Sequence, residues 1–202
     1  MSTVVKNAAW AVIWNEALRR HEYARGIDLA FDGSTITHVG KDYRGQAEHV
    51  IDGRGVMVMP GLINTHTHPW SEALNKGFAE DFGNPALGFM AMYDWMPGWI
   101  ISPRSCLVAA SVAYAELLKS GTTTIIDNSP IYEGWIDMAA RSGMRSYLGP
   151  AMASAGWTRT DASSYGYKWK EDDGAQAFET AMAAIDAAET HPAGTLSGIV
   201  FP

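Results

Sequence analysis

The sequence predicts an α/β protein in which a small β unit precedes a segment of alternating strands and helices. Two observations indicate the β unit: short alternating apolar runs before residue 58, and an Asp32-Gly33 pair between two of them. Asp-Gly favours a β-hairpin, because the turn needs residues that accept positive φ. The third observation is the predicted order β-α-β-α-β-α-β from residue 59 onward, which is typical of a parallel sheet.

The β unit is predicted over residues 1–58 and is expected to be antiparallel. Alternating apolar residues predict strands at 10–14, 26–31 and 35–40, and a further strand at 49–52. A turn is predicted where two glycines flank Arg54.

The second domain is predicted over residues 59–202, with strands at about 61–67, 122–127, 145–152 and 196–201. The first of these strands lies in a continuous apolar run, which is typical of a strand buried on both faces. Helices are predicted at 102–120, 131–142 and 174–190, and the polar segment 166–173 is predicted to be a loop. Ser102 and Pro103 are residues preferred at a helix start, and Gly121 is preferred after a helix end.

Composition excludes several classes of protein. With 47% hydrophobic and 18% charged residues in a chain of 202, the protein can form an ordinary packed core. The formal net charge of −7 argues against non-specific nucleic-acid binding, which needs a basic surface. A single cysteine, Cys106, excludes a disulfide framework within the chain. Neither a membrane span nor a signal peptide is apparent, so a cytoplasmic protein without membrane contact is expected.

The motif that carries most chemical information is His66-Thr67-His68. Residues i and i+2 of a strand point to the same face, so two imidazoles at this spacing can approach one metal ion. The motif also stands at the carboxyl end of the first predicted parallel strand. We therefore interpret His66 and His68 as metal ligands; the alternative is a pair of solvated or hydrogen-bonded histidines.

Other side chains near the predicted strand ends are candidates for substrate binding. Trp70 follows the motif and is expected either to line a pocket or to pack in the core. Asn128 stands at the end of the second predicted strand, where side chains face the mouth of a parallel barrel. An aromatic and methionine cluster at 89–99 could cap an aromatic substrate, but such clusters are more often core or subunit interface.

The segment Met59–His68 resembles the first-strand signature of the amidohydrolase superfamily, in particular its chlorohydrolase and aminohydrolase branch of triazine hydrolases and guanine or cytosine deaminases. Residues 26–40 and 50–55 resemble the N-terminal β-sandwich strands of that family. Residues 76–81 resemble the segment after its first metal strand, and residues 120–124 resemble its second barrel strand.

The resemblance implies the N-terminal half of a (β/α)₈ TIM-type barrel, preceded by part of a β-sandwich. It implies one divalent metal ion, zinc or iron, with His66 and His68 as two of its ligands. The implied reaction is hydrolysis of a non-peptide carbon–nitrogen bond in a small cyclic or heteroaromatic substrate, by attack of a metal-activated water. Hydrolytic dehalogenation and cleavage of an acyclic amide by the same site are alternatives.

In this family the remaining ligands, a His and an Asp, come from strands five and eight, and a Glu and a His assist proton transfer. The other histidines do not suit the strand-five role, because His21, His38 and His49 precede the metal strand and His191 lies just before Pro192. No catalytic residue is therefore assigned within the chain. An alternative expectation is that the 202 residues form a catalytically incomplete fragment or one subunit of a split enzyme. A homo-oligomer is expected for the intact enzyme, or else a partner chain that supplies the remaining strands.

Overall fold

The computed structural model describes residues 1–76, 102–159 and 165–201, with only the backbone described at 75, 157–159 and 165. The chain divides into two compact units, Met1–Pro60 and Gly61–Pro202. The aromatic cluster at 89–99 lies outside the described residues, as does most of the segment 76–81. No helix within the described residues combines the length and apolarity that a membrane crossing requires.

The first unit contains two small sheets. Its strands are β1 (Ser2–Ala8), β2 (Trp10–Asn15), β3 (Arg20–Ala24), β4 (Ile27–Asp32), β5 (Thr35–Gly40), β6 (His49–Asp52) and β7 (Met57–Val58). The strand orders are β5-β4-β1-β6 in one sheet and β3-β2-β7 in the other. Small and branched side chains form the buried core of this unit: Val4, Val5, Ala8, Ala11, Ile27 and Ala30.

The predicted hairpin is present, but the expectation of a fully antiparallel unit is wrong. Asp32 pairs with Thr35, so the loop consists of Gly33 and Ser34, and Gly33 has the positive φ of 56° that the turn needs. However, β1 pairs with β6 in parallel, and β2 pairs with β7 in parallel. These partners are distant in sequence, so no hairpin fixes their direction, and local turn signals could not predict it.

A buried carboxylate ties the first unit together. Asp28 is 6% exposed, and its two oxygens accept hydrogen bonds from the backbone N–H of Asn7 at 2.7 Å, the backbone N–H of Tyr43 at 2.8 Å and the Lys6 Nζ at 3.0 Å. Burial alone raises the pKa of this carboxyl, but these hydrogen bonds and the positive charge of Lys6 outweigh it. The pKa of Asp28 therefore lies below its ordinary value.

The second unit alternates strands and helices around one parallel sheet. Its elements are β8 (Leu62–Thr67), α1 (Pro69–Asn75), α2 (Pro103–Lys119), β9 (Thr122–Ser129), α3 (Trp135–Ser142), β10 (Arg145–Pro150), β11 (Ala155–Arg159), β12 (Tyr165–Trp169), α4 (Glu171–Glu189) and β13 (Leu196–Gly198). The sheet order is β13-β10-β9-β8, and every neighbouring pair is parallel. Each new strand is added at the same edge, as in a barrel, without the reversal of a doubly wound sheet.

The helices α2, α3 and α4 cover one face of this sheet. They share a single core cluster with β9, β10 and β13, whose buried members are Cys106, Ala110, Tyr114, Ile125, Tyr132, Trp135, Met138, Ala139, Met144, Leu148, Ala188 and Leu196. The helix boundaries follow the predicted signals in α2, where Ser102 Oγ accepts the Ser105 N–H at 3.1 Å and Gly121 has a φ of 87°.

Two local predictions in this unit are wrong. The predicted loop at 166–173 contains β12, which forms an antiparallel hairpin with β11, and then the start of α4. The helix predicted at 131–142 begins only at Trp135, because Gly134 has a left-handed φ of 80° that a helix cannot include. The hairpin of β11 and β12 was not predicted at all, whereas α3 was predicted with too early a start.

Candidate functional site

His66 and His68 face each other at the carboxyl end of β8. Thr67 between them is 2% exposed, and successive strand residues point to opposite faces, so the two imidazoles share the other face. Their Nε2 atoms are 3.0 Å apart, and their ring centroids are 4.8 Å apart at an interplanar angle of 80°. The two ring nitrogens therefore converge on one point.

The distance between the Nε2 atoms fits two positions of a metal site. Two nitrogens at about 2.0–2.1 Å from one ion, with bond angles of about 90–110°, are about 2.8–3.4 Å apart. The observed 3.0 Å lies in this range, although it also suits an N–H···N hydrogen bond between the rings. Within the described residues, no group of three or more His, Cys, Asp and Glu side chains could hold a metal ion.

The orientation of His68 is set by the neighbouring strand. Its Nδ1 lies 2.8 Å from the backbone carbonyl oxygen of Asn128 in β9. A carbonyl oxygen only accepts hydrogen bonds, so Nδ1 carries a proton, and in the neutral ring Nε2 then presents a lone pair toward His66. This arrangement of a ring N–H on a carbonyl is the one that commonly orients metal-binding histidines. The backbone of His66 is held by Asn64, whose Oδ1 accepts the His66 N–H at 3.1 Å.

Asn128 also contributes a buried side chain. It is 3% exposed, and its Oδ1 has no hydrogen-bond partner among the described residues. A Cβ on Gly149 of β10 would lie 3.0 Å from this oxygen and 3.1 Å from Cβ of Phe201, so the missing side chain of Gly149 provides necessary space. The Phe201 ring lies 6.4 Å from the His68 ring, centroid to centroid. His66, His68 and Asn128, predicted from separate parts of the sequence, are thus brought together.

Trp70 has a different environment. It is the second residue of α1, and its side chain packs, partly buried, against the core cluster of the second unit. This position agrees with packing in the core, which is one of the two roles predicted for Trp70. A contact between Trp70 and substrate stays a prediction.

Asp127 precedes Asn128 but points to the helix-covered face. It is completely buried, and it accepts hydrogen bonds from the Tyr114 hydroxyl at 2.8 Å, from Trp135 Nε1–H at 2.9 Å and from the Ser129 hydroxyl. Burial raises the pKa of Asp127, and the three hydrogen bonds only partly oppose this. Asp127 therefore connects β9 to α2 and α3 rather than lining the site.

Sequence reasoning missed Glu72 in α1. Its Oε1 accepts hydrogen bonds from the Thr67 hydroxyl at 2.5 Å and from the His68 backbone N–H at 3.2 Å. The available signal was a Glu in the first turn of a helix that directly follows the motif, since carboxylates there can reach back to the residues before the helix.

The model of the amidohydrolase family matches residues 57–201, which include the histidine motif and all four strands of the parallel sheet. The chain belongs to the amidohydrolase family. The resemblance inferred from the sequence is therefore confirmed at the level of the family.

Relatives and solved structures agree with this assignment. A 5-methylthioadenosine/S-adenosylhomocysteine deaminase of Thermococcus onnurineus is 30% identical over 156 residues, which is 77% of this chain and 35% of that protein. An atrazine chlorohydrolase of Arthrobacter aurescens, whose crystal structure contains zinc, has a TM-score of 0.70 at 19% identity and covers 98% of this chain and 46% of its own. A guanine deaminase of C. acetobutylicum, with bound guanine, has a TM-score of 0.69 at 14% identity. The match covers 100% of this chain and 46% of the deaminase chain.

The two solved structures share the fold of this chain over nearly all of its length. At such low identity the solved structures show the fold alone, and they confirm the predicted α/β architecture with a β-sandwich-like start and parallel barrel strands. The chain spans about a third of the length of the curated relatives it matches, and just under half of the solved chains.

Proposed function

We propose that this amidohydrolase is a metal-dependent hydrolase of a non-peptide carbon–nitrogen bond in a small cyclic or heteroaromatic substrate. His66 and His68 are the proposed ligands from this chain, and zinc is the proposed ion. The observation that carries the proposal is the convergence of two Nε2 atoms to 3.0 Å at the carboxyl end of a parallel strand. Active sites of barrel enzymes lie at that end of the strands.

The family relationship supports this reaction class. The relative from Thermococcus and the structural neighbour from C. acetobutylicum are both named as deaminases, and their named substrates contain heteroaromatic rings. The zinc in the atrazine chlorohydrolase structure supports the choice of ion.

The residues of this chain have separate roles in the proposed reaction. A divalent ion bound here would act as a Lewis acid and lower the pKa of the attacking water. His68 keeps its Nε2 lone pair available, because its Nδ1–H donates to Asn128. The unpartnered Oδ1 of Asn128 is proposed to accept a hydrogen bond from an N–H group of the substrate, which would recover the interaction that burial otherwise denies it.

A second reaction uses the same site. The structural likeness to an atrazine chlorohydrolase favours hydrolysis of a carbon–halogen bond as the alternative. The two reactions differ in the leaving group, so the released product separates them.

Metal binding is tested in the full-length protein. After dialysis against metal-free buffer, a Zn²⁺ titration should give about one tight site per chain. His66→Ala and His68→Ala should abolish that site. His49→Ala changes an exposed histidine of β6 and should leave it intact. Equal Zn²⁺ binding by wild type and both site variants would refute the ligand assignment.

The reaction class is tested with a substrate panel. The zinc-loaded protein is incubated with 5-methylthioadenosine, guanine and atrazine, and released ammonia and chloride are measured separately. Ammonia from an amino-substituted ring supports the proposal, whereas chloride alone supports the alternative. Asn128→Ala should lower kcat/KM about tenfold, as expected for one lost hydrogen bond, with metal content unchanged.

A further inference from the structure

The Glu72 carboxylate binds the residues that carry the two imidazoles. Its Oε1 accepts both the Thr67 hydroxyl and the His68 backbone N–H. In the opposite direction, the Glu72 backbone N–H donates to the His68 carbonyl oxygen at 3.2 Å. Both backbone polar groups of His68 are thus bonded to Glu72.

These contacts lie on the opposite side of the strand end from the imidazoles. The Thr67 side chain is buried and points away from the face that carries His66 and His68. The His68 ring is held separately, through the Nδ1 contact with Asn128. Glu72 therefore fixes the backbone of the motif while Asn128 fixes the ring.

The bond from the His68 N–H to Glu72 is a capping-box type of contact at the start of α1, but the bond from the Thr67 hydroxyl is not required by the helix. The N-cap residue of α1 is His68, whose side chain makes no capping hydrogen bond, and Pro69 has no N–H to satisfy. The Glu72 carboxylate reaches back past the helix start to Thr67, which belongs to β8. The contact therefore joins the strand that presents the imidazoles to the helix behind it.

We propose that Glu72 is a positioning residue for the metal site, holding the end of β8 and the turn into α1 so that both Nε2 atoms converge. This inference rests on the proposed metal-binding function. Loss of such an outer contact typically lowers metal affinity about 10–100-fold.

The affinity test compares matched variants of the full-length protein. Glu72→Ala should weaken Zn²⁺ binding about 10–100-fold in competition with a chromophoric chelator. Glu72→Gln retains an oxygen acceptor and should restore most of that affinity, while Thr67→Val should cause an intermediate loss. The control is Glu116→Ala, which removes an exposed carboxylate that pairs with Lys76 and is remote in sequence from the motif. An equal loss in Glu72→Gln and Glu72→Ala, or none in either, would overturn the positioning role.

A metal-free measurement separates this inference from the proposed function. In the apo protein, amide hydrogen exchange at His68 should be faster in Glu72→Ala than in wild type, with exchange in β9 and β10 unchanged. Should wild type bind no Zn²⁺ while this change occurs, the metal proposal fails and the metal-site role with it, and Glu72 is shown only to hold the backbone of the motif. Unchanged His68 exchange in Glu72→Ala would overturn the positioning role, whatever the metal titration gives.

Discussion

Asp127 connects three elements of the second unit through one buried carboxylate. Oδ2 accepts the Tyr114 hydroxyl from α2 and Trp135 Nε1–H from α3, and Oδ1 accepts the Ser129 hydroxyl at the end of β9. All three donors are themselves almost completely buried. Replacing Asp127 by Ala would therefore remove the acceptor of three buried donors, of which the Tyr114 hydroxyl keeps Ser146 as a partner.

The size of the effect follows from this geometry. A buried donor left unpaired costs about 1–3 kcal/mol, so the Trp135 and Ser129 donors predict a loss of about 2–6 kcal/mol for Asp127→Ala. Asp127→Asn is different, because its amide oxygen can accept from Tyr114 and Trp135 while its NH₂ donates to the Ser129 oxygen. We expect Asp127→Asn to lose less than about 1.5 kcal/mol, which is one ordinary hydrogen bond.

The pH dependence has a defined sign. Because burial raises the pKa of Asp127 in the folded protein, the folded state binds the proton more tightly than the unfolded state. Stability therefore falls as pH rises from the ordinary aspartate pKa toward the raised value, and Asp127→Asn should lack this decline.

The assay is urea unfolding of the full-length protein, followed by circular dichroism across the acid to neutral range. If Asp127→Ala were within about 1 kcal/mol of wild type, or Asp127→Asn were as unstable as Asp127→Ala, the hydrogen-bond reasoning would be refuted.

Three further predictions concern other buried positions. The pKa of Asp28 is lowered in the folded protein, so the Asp28 carboxylate stabilises the fold fully above the ordinary aspartate pKa. This stabilisation is lost as pH falls toward the folded-state pKa. Asp28→Asn should remove this acid dependence in unfolding curves. Gly53→Ala should destabilise the first unit by more than about 1–3 kcal/mol in urea unfolding, since the new Cβ would lie 2.7 Å from the Lys6 carbonyl oxygen and 2.8 Å from Cα of Ala8, both backbone atoms. Gly149→Ala should cost only about 1–3 kcal/mol, because its neighbours at 3.0–3.2 Å are side-chain atoms, of which Asn128 Oδ1 and the Ile199 methyl group can shift. A loss as large as that of Gly53→Ala would contradict this distinction.

Much of the local structure was predictable because its causes are local. The hairpin between β4 and β5 follows from Asp32-Gly33, and the ends of α2 follow from Ser102 and Gly121. Two local predictions were wrong. Gly134 delays the start of α3. The segment predicted as a loop at 166–173 contains most of β12, which pairs with β11, a strand that lacked a sequence signal. The parallel pairing of β1 with β6 was also missed, because no short turn connects them.

The sequence by itself determined that His66 and His68 share one face at a strand end, since a two-residue repeat in an extended strand requires it. It also determined the alternation of strands and helices that leads to a parallel sheet. Only the tertiary structure decided which groups orient the motif: the Asn128 carbonyl, 60 residues further along the chain, and the Glu72 carboxylate behind the strand. The physical reason is that a repeat fixes the direction of a side chain, whereas its hydrogen-bond partners depend on which strands and helices the folded chain places beside it.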